Sequence, residues 1–182
     1  MTELFEIRGK WKPGEFDEFV ESWQGSLLLE EDGWFEGIIQ DRGREDADNF
    51  IFGTYKPEEK IVIHKISYYD FRPIIYDATK KDKCYIGTYK EDWAYDTPPE
   101  GNTEITTRGI DGVYFLSDAK DLEKRIEAFK EELKYKPRGR RVYDYARSRR
   151  EEDYRRFKSG KTTVETTQKE PEINEKPLYL QL

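Results

Sequence analysis

From Leu4 to Leu116, short apolar runs alternate with clusters of turn-forming and charged residues. Their spacing, roughly eight to twelve positions, is that of strands in an antiparallel all-β domain. Leu4-Phe5-Glu6-Ile7-Arg8 opens the series, and Pro13-Gly14 reads as its first turn. Phe16, Phe19, Val20 and Trp23 then fall at i, i+3, i+4 and i+7, which predicts a short helix near 15–23. Asp32-Gly33 separates Ser26–Glu31 from Trp34–Ile39 and predicts a two-residue hairpin, because both central positions of that turn need positive φ. Further strands are predicted at Phe50–Tyr55, Ile61–Ser67, Pro73–Tyr76, Cys84–Tyr89, Glu104–Thr107 and Gly112–Leu116. The pattern describes an antiparallel β-meander, closed as a barrel or strongly curled.

Phe52-Gly53-Thr54-Tyr55-Lys56 and Ile86-Gly87-Thr88-Tyr89-Lys90 nearly repeat. Two copies are too few for a solenoid, so they read as equivalent strands in which glycine admits a neighbouring backbone. After Leu116 the period changes. Ser117 or Asp118 can cap a helix carrying Leu122, Ile126, Phe129 and Leu133 at helical spacing. Lys136–Gly139 breaks it. A second helix over about 141–158 then carries Val142, Tyr145, Ala146, Arg149, Tyr154 and Phe157. The chain thus divides into a β-barrel domain with a packed helix (1–135), a basic helical arm (136–160) and a flexible tail (161–182) that ends on apolar Leu178–Leu182. The predicted fold class is mainly β with a C-terminal α part.

Composition sharpens this outline. In 182 residues, 39% are charged and 35% hydrophobic, yet 15% are aromatic, and mean hydropathy is -1.01. No run approaches the ~18 apolar residues of a membrane-spanning helix. The wealth of rings separates the chain from disordered sequences of similar polarity. One cysteine rules out an internal disulfide framework, and no signal-peptide pattern opens the chain, so a cytoplasmic setting is expected. Charge is unevenly spread. Residues 134–161 hold 12 Lys/Arg against 4 Asp/Glu, leaving 20 Lys/Arg against 35 Asp/Glu for the rest.

Motifs for catalysis are lacking. The chain has no Gly-x-Gly-x-x-Gly loop, no complete phosphate-binding loop and no Gly-x-Ser-x-Gly elbow. Ser159–Thr163 matches the end of a phosphate loop but has no strand before it. His64, the sole histidine, shares a strand face with Val62 and Ile66, and reads as a barrel residue rather than a base. Cys84 reads as a structural thiol, and Cys84–His64 is the one dyad the chain could form. Asp41, Glu45, Asp46, Asp48 and Asn49 crowd one loop without the spacing of a calcium site. No metal and no cofactor is expected, and the balance points away from an enzyme.

Arg138, Arg140, Arg141, Arg147, Arg149, Arg150, Arg155 and Arg156, interleaved with Tyr143, Tyr145 and Tyr154, form the most suggestive cluster. Guanidinium forks and rings suit phosphates and bases. A net charge of -7 disfavours polyanions, so an acidic protein partner, a second copy, or the chain's own acidic body is preferred to nucleic acid.

Gly9-Lys10-Trp11, the following meander and the helix after it together resemble the lipocalin, or wider calycin, pattern. That resemblance covers about residues 4–135 and implies a barrel holding a small apolar or aromatic ligand in its mouth, with Gly9 and Trp11 as structural residues at the closed end. The chain departs from the family in lacking its Thr-Asp-Tyr motif, and Lys-Pro-Gly follows Trp11 directly. Strand alternation nominates Trp34, Phe50, Phe52, His64, Tyr76 and Tyr89 as the ligand wall. The expected function is non-enzymatic binding of a small ligand, with the basic arm for partner contact. The alternative is an interaction protein acting through that arm.

Overall fold

The computed structural model describes residues 2–15, 17–69, 71–91, 100–109 and 118–159. Eight strands form a closed antiparallel barrel in simple chain order. They are β1 (Glu3–Pro13), β2 (Glu21–Leu29), β3 (Trp34–Asp41), β4 (Asn49–Lys56), β5 (Lys60–Ile66), β6 (Pro73–Lys81), β7 (Cys84–Glu91) and β8 (Glu100–Gly109). Pairing of β1 with β8, from Phe5 opposite Gly109 to Pro13 opposite Gly101, closes the ring. Two helices follow, α1 (Ala119–Tyr135) and α2 (Pro137–Lys158). Among the described residues no helix is long and apolar enough to cross a membrane.

The period-two alternation of strands decides what fills the barrel. Ile7, Trp23, Leu27, Phe35, Ile39, Ile51, Tyr55, Ile61, Ile63, Tyr76, Tyr85, Tyr89 and Ile105 converge inside. Ile7, Phe35, Ile39, Ile51, Ile61, Ile63 and Ile105 are 0% exposed, and Trp23, Leu27, Tyr76 and Tyr85 are 1% exposed. A void wide enough for water would leave area on these side chains, so the middle of the barrel is filled by its own residues. A hairpin joins β2 to β3 at Asp32-Gly33, but not through the two-residue turn expected. Glu30–Gly33 lie between the strands, and the Gly33 N–H donates to the Glu30 carbonyl at 3.0 Å. Of Asp32 and Gly33 only Gly33, at φ 87, has positive φ.

A second apolar layer lies outside the barrel. Ile38, Phe50, Phe52 and Ile66 face outward and meet Leu122, Ile126, Phe129 and Leu133 of α1 and Val142 and Ala146 of α2. The α1 stripe matches its sequence period, and Asp118 caps it by accepting from the Asp121 N–H at 3.0 Å. The break before α2 is shorter than its sequence suggests. Only Lys136 separates the helices, because Pro137 suits a first helical turn and Gly139 continues the helix. A Cβ on Gly139 would lie 2.8 Å from Leu133 Cδ2, so glycine is what lets α2 turn tightly onto α1.

The short helix predicted near 15–23 is not formed: Glu21 begins β2, and Phe16 lies outside the described residues. Its four-residue stripe spans two turns, too little to hold a helix against strand pairing on both sides. Trp23 instead lies opposite Gly9 and fills the barrel, while Phe19 and Val20 are 38% and 49% exposed. The strand predicted at 112–116 also falls outside the described residues.

The near-repeat acquires a geometric sense. At Gly53 and Gly87 a Cβ would lie 1.9 Å from the carbonyl oxygens of Val62 and Asp77, so close backbone approach is what both copies share. Because β4 and β7 run in opposite directions, Tyr55 and Tyr89 reach opposite ends of the interior.

Gly9 gives the sharpest packing test. A Cβ there would stand 2.1 Å from Trp23 Cζ2. Gly9→Ala is therefore expected to lower stability by about 1–3 kcal/mol in urea denaturation. Adding Trp23→Phe should recover part of that loss, and an unperturbed Gly9→Ala would contradict this packing.

Candidate functional site

Parity splits the expected ligand wall. Tyr76 and Tyr89 face inward with ring centroids 6.0 Å apart, flanked by Trp23 at 5.5 Å from Tyr76 and Trp11 at 5.1 Å from Tyr89. Trp34, Phe50, Phe52 and His64 face outward. His64 stacks on Phe52 at 5.3 Å, Phe50 lies 5.7 Å from Phe129, and Trp34 meets Tyr154 at 4.7 Å. These four therefore do not line the interior; they form the seat on which the helices rest. The Cys84 thiol points to the Lys81 carbonyl at 3.5 Å and makes no pair with His64.

Two ion pairs close the barrel at the end where β5 finishes. Lys65 Nζ donates to both Asp41 oxygens, at 2.6 and 2.8 Å, and Asn49 Nδ2 donates to Asp41 Oδ2 at 3.1 Å. Beside them Arg72 reaches Glu91 at 2.7 Å. Burial pushes the Lys65 ammonium below the usual lysine range, and the attraction of Asp41 opposes this only in part. Tyr76, beneath, is raised by burial and then by the Asp41 charge. At the opposite end the Tyr85 hydroxyl donates to the Pro57 carbonyl and lies 3.2 Å from the Tyr55 hydroxyl, itself 2.9 Å from Thr107 Oγ1. Both ends are thus stoppered by hydrogen-bonded polar groups.

The acidic loop is spent on similar tasks. Asp48 binds Arg125 of α1 and accepts from Gln40 at 3.0 Å, while Glu45 accepts from the Gly43 N–H at 2.8 Å. Among the described residues no three His, Cys, Asp or Glu side chains are grouped to hold a metal ion.

The eight arginines of the basic arm separate by helical phase. Arg150 is 7% exposed, with its guanidinium 3.1 Å from the Trp34 ring centroid and 3.5 Å from Glu36 Oε1. Glu36 also takes Lys130 of α1 at 2.8 Å, so one barrel carboxylate ties down both helices. Burial lowers Arg150 to about 10 despite that carboxylate, and its Nε has no hydrogen-bond partner. Arg138, Arg149 and Arg156 are half-buried, Arg149 reaching the Tyr145 hydroxyl at 3.4 Å and Arg156 pairing with Glu152. Arg140, Arg141, Arg147 and Arg155 are exposed, with Arg147 Nε 3.3 Å from Glu151.

Comparison with known families, with curated proteins and with solved structures finds no match.

The sequence reading missed a groove on the outer wall. With α1 resting on β2 and β3 and α2 on β4 and β5, a depression of about 480 Å³ lies across β8, β1, β2 and β3. Register builds it from two rows of outward side chains. Arg8 lies between Thr106 and Gln24, with Gln40 beyond; Lys10 lies between Glu104 and Ser22. Arg42 joins the second row by donating its N–H to the Ser22 carbonyl at 2.9 Å. Long side chains surround short Ser22, which is why a convex wall can hold a depression. Alternating polar positions were the available signal. They could not be assembled while 15–23 read as helix, because that reading removes the start of β2, and Ser22 with it, from beside β1. A second groove of about 460 Å³ gathers Glu3, Glu30, Glu31 and Asp32 around Leu29 and Tyr55 at the Tyr85 end. Asp32 there already takes the Tyr154 hydroxyl.

Asp41→Asn leaves Lys65 buried without a counter-charge and should cost about 3–5 kcal/mol in urea denaturation, whereas Asp41→Asn with Lys65→Met should recover most of it. Equal stabilities for the two would show that the pair does not matter. Tyr76, Tyr85 and Tyr89 are all raised by burial. They stay neutral in the fold where the unfolded chain ionises near ~10. Their stabilising effect is complete below that pH and lost as pH rises beyond it. Lys65 acts in the opposite sense, since its penalty fades as it deprotonates. Urea midpoints between about pH 9 and 11.5 should therefore fall less steeply for Tyr76→Phe than for the native chain; parallel slopes would refute the assignment.

Proposed function

We propose that this protein is a non-enzymatic binding module that takes a small polar ligand in the groove across β8, β1, β2 and β3. The observation that carries this reading is the groove itself, about 480 Å³ and rimmed by Arg8, Lys10, Gln24, Gln40, Arg42 and Glu104. Ligand sites commonly fall in this volume range. The filled barrel middle supports moving the ligand from the mouth to the wall. The closed eight-stranded barrel is compatible with a calycin-like relationship, but its recognition surface would then differ from the usual one.

A second reading, contact with an acidic protein through α2, draws support from exposed Arg140, Arg141, Arg147 and Arg155. It would be an additional surface, since these residues belong to another part of the molecule.

The groove reading is tested by amide NMR titration with a library of small polar metabolites. Saturable hits should shift the amides of Arg8, Ser22, Gln24 and Gln40. They should weaken at least ~10-fold in Gln24→Ala/Arg42→Ala, whose circular dichroism remains native. Hits that bind the double variant unchanged, or a library with no saturable hit, would overturn it.

A further inference from the structure

Resting on that groove reading, we infer that the groove's ligand is a hydroxyl-rich anion of the sugar-phosphate class. The inference comes from how its charges are already matched. Lys10 is answered by Glu104 at 3.0 Å, and Arg8 by Glu6 at 2.8 Å. Arg42 makes no ion pair among the described residues; Glu45, whose carboxyl is turned to its own loop backbone, reaches it only through its field. One guanidinium is thus left to fork a phosphate, the geometry to which arginine is best suited. Polar side chains line the same groove: Ser22 and Thr106 hydroxyls, Gln24 and Gln40 amides, the latter also donating to Asp48 at 3.0 Å, and the Glu45 and Glu104 carboxylates. Hydroxyls and amides both donate and accept, and carboxylates accept, which is the set that a polyol needs and a plain anion does not.

The same lining argues against two neighbouring classes. An apolar ligand would meet no exposed ring there, since Trp23, which lies under the groove, presents its ring to the interior and is 1% exposed. A nucleotide needs a ring to stack on. Phe19 does not line the groove, and Lys10 and Lys12 hold their ammonium groups 5.1 and 5.6 Å from its centroid. That competes with a base for the ring.

The test uses the intact chain, with glucose 6-phosphate, glucose, inorganic phosphate and AMP as probes in amide NMR titrations. Glucose 6-phosphate should shift the amides of Arg8, Lys10, Ser22, Gln24, Gln40 and Arg42 together, and glucose and phosphate should each bind at least ~10-fold more weakly. Arg42→Gln should weaken glucose 6-phosphate by ~10-fold or more, the loss expected for one charge-assisted hydrogen bond, and Arg42→Lys should restore part of it. Phosphate binding as tightly as glucose 6-phosphate would reduce the site to a simple anion site, and tighter AMP binding would make it a nucleotide site. Either result overturns the proposed class. So does silence from glucose 6-phosphate. Where library hits still map to these amides, the groove reading survives that failure; where none does, both fall.

Discussion

Every position from Asn49 to Tyr55 of β4 is buried, and that single strand constrains the rest of the molecule. One face sends Ile51 and Tyr55 into the barrel, and the other sends Phe50 and Phe52 outward. A barrel can bury only one face of a strand. The outward phenylalanines therefore require a cover, and fully burying each contributes roughly 1.5–3 kcal/mol. The two helices are that cover. Their placement on one side leaves the β8–β1 side free to carry polar side chains, so the groove is a consequence of where β4 lies in the ring.

Charge then fixes what apolar packing leaves adjustable. Glu36 stands on the covered wall between Lys130 and Arg150. A buried arginine would be a net cost without that carboxylate and the Trp34 ring beneath it. Slipping α2 along the wall would strip both contacts at once, so the ionic cluster specifies register where Val142 and Ala146 could tolerate a shift. The charge asymmetry of the chain is used partly in this way. One arginine of the basic arm is absorbed by the body, while those on the opposite face of α2 stay in water.

Much of this was legible in the sequence, and the failures share one cause. Alternation, the Asp-Gly hairpin and the Leu122–Leu133 stripe specify a meander followed by an amphipathic helix, because each is a local signal. Inside versus outside on β4 is not local. Phe50-Ile51-Phe52 has no polar position to give a phase, so Phe50 and Phe52, and with them Trp34 and His64, could be assigned to the interior as readily as to the helix seat. The helical reading of Phe19, Val20 and Trp23 failed because Trp23 answers to Gly9, a partner on another strand. Once that partner is known, the outward phase of β1 to β3 follows, and the groove with it.

The two layers also account for the unusual composition. A chain only 35% hydrophobic would hardly fill one core with aliphatic side chains, yet this one fills the barrel and the space between wall and helices. Rings make that feasible, since each buries about 150–250 Å² at the expense of few rotatable bonds. They also explain the polar stoppers. Tyrosines that span the interior bring hydroxyls to its ends, where Tyr55 and Tyr85 meet Thr107 and Pro57 at one mouth, while Tyr76 lies beneath Asp41 and Lys65 at the other. Among the described residues, those at the middle of the interior fill it themselves. The high charge that the core cannot use is arranged instead by register into rows on the outer surface.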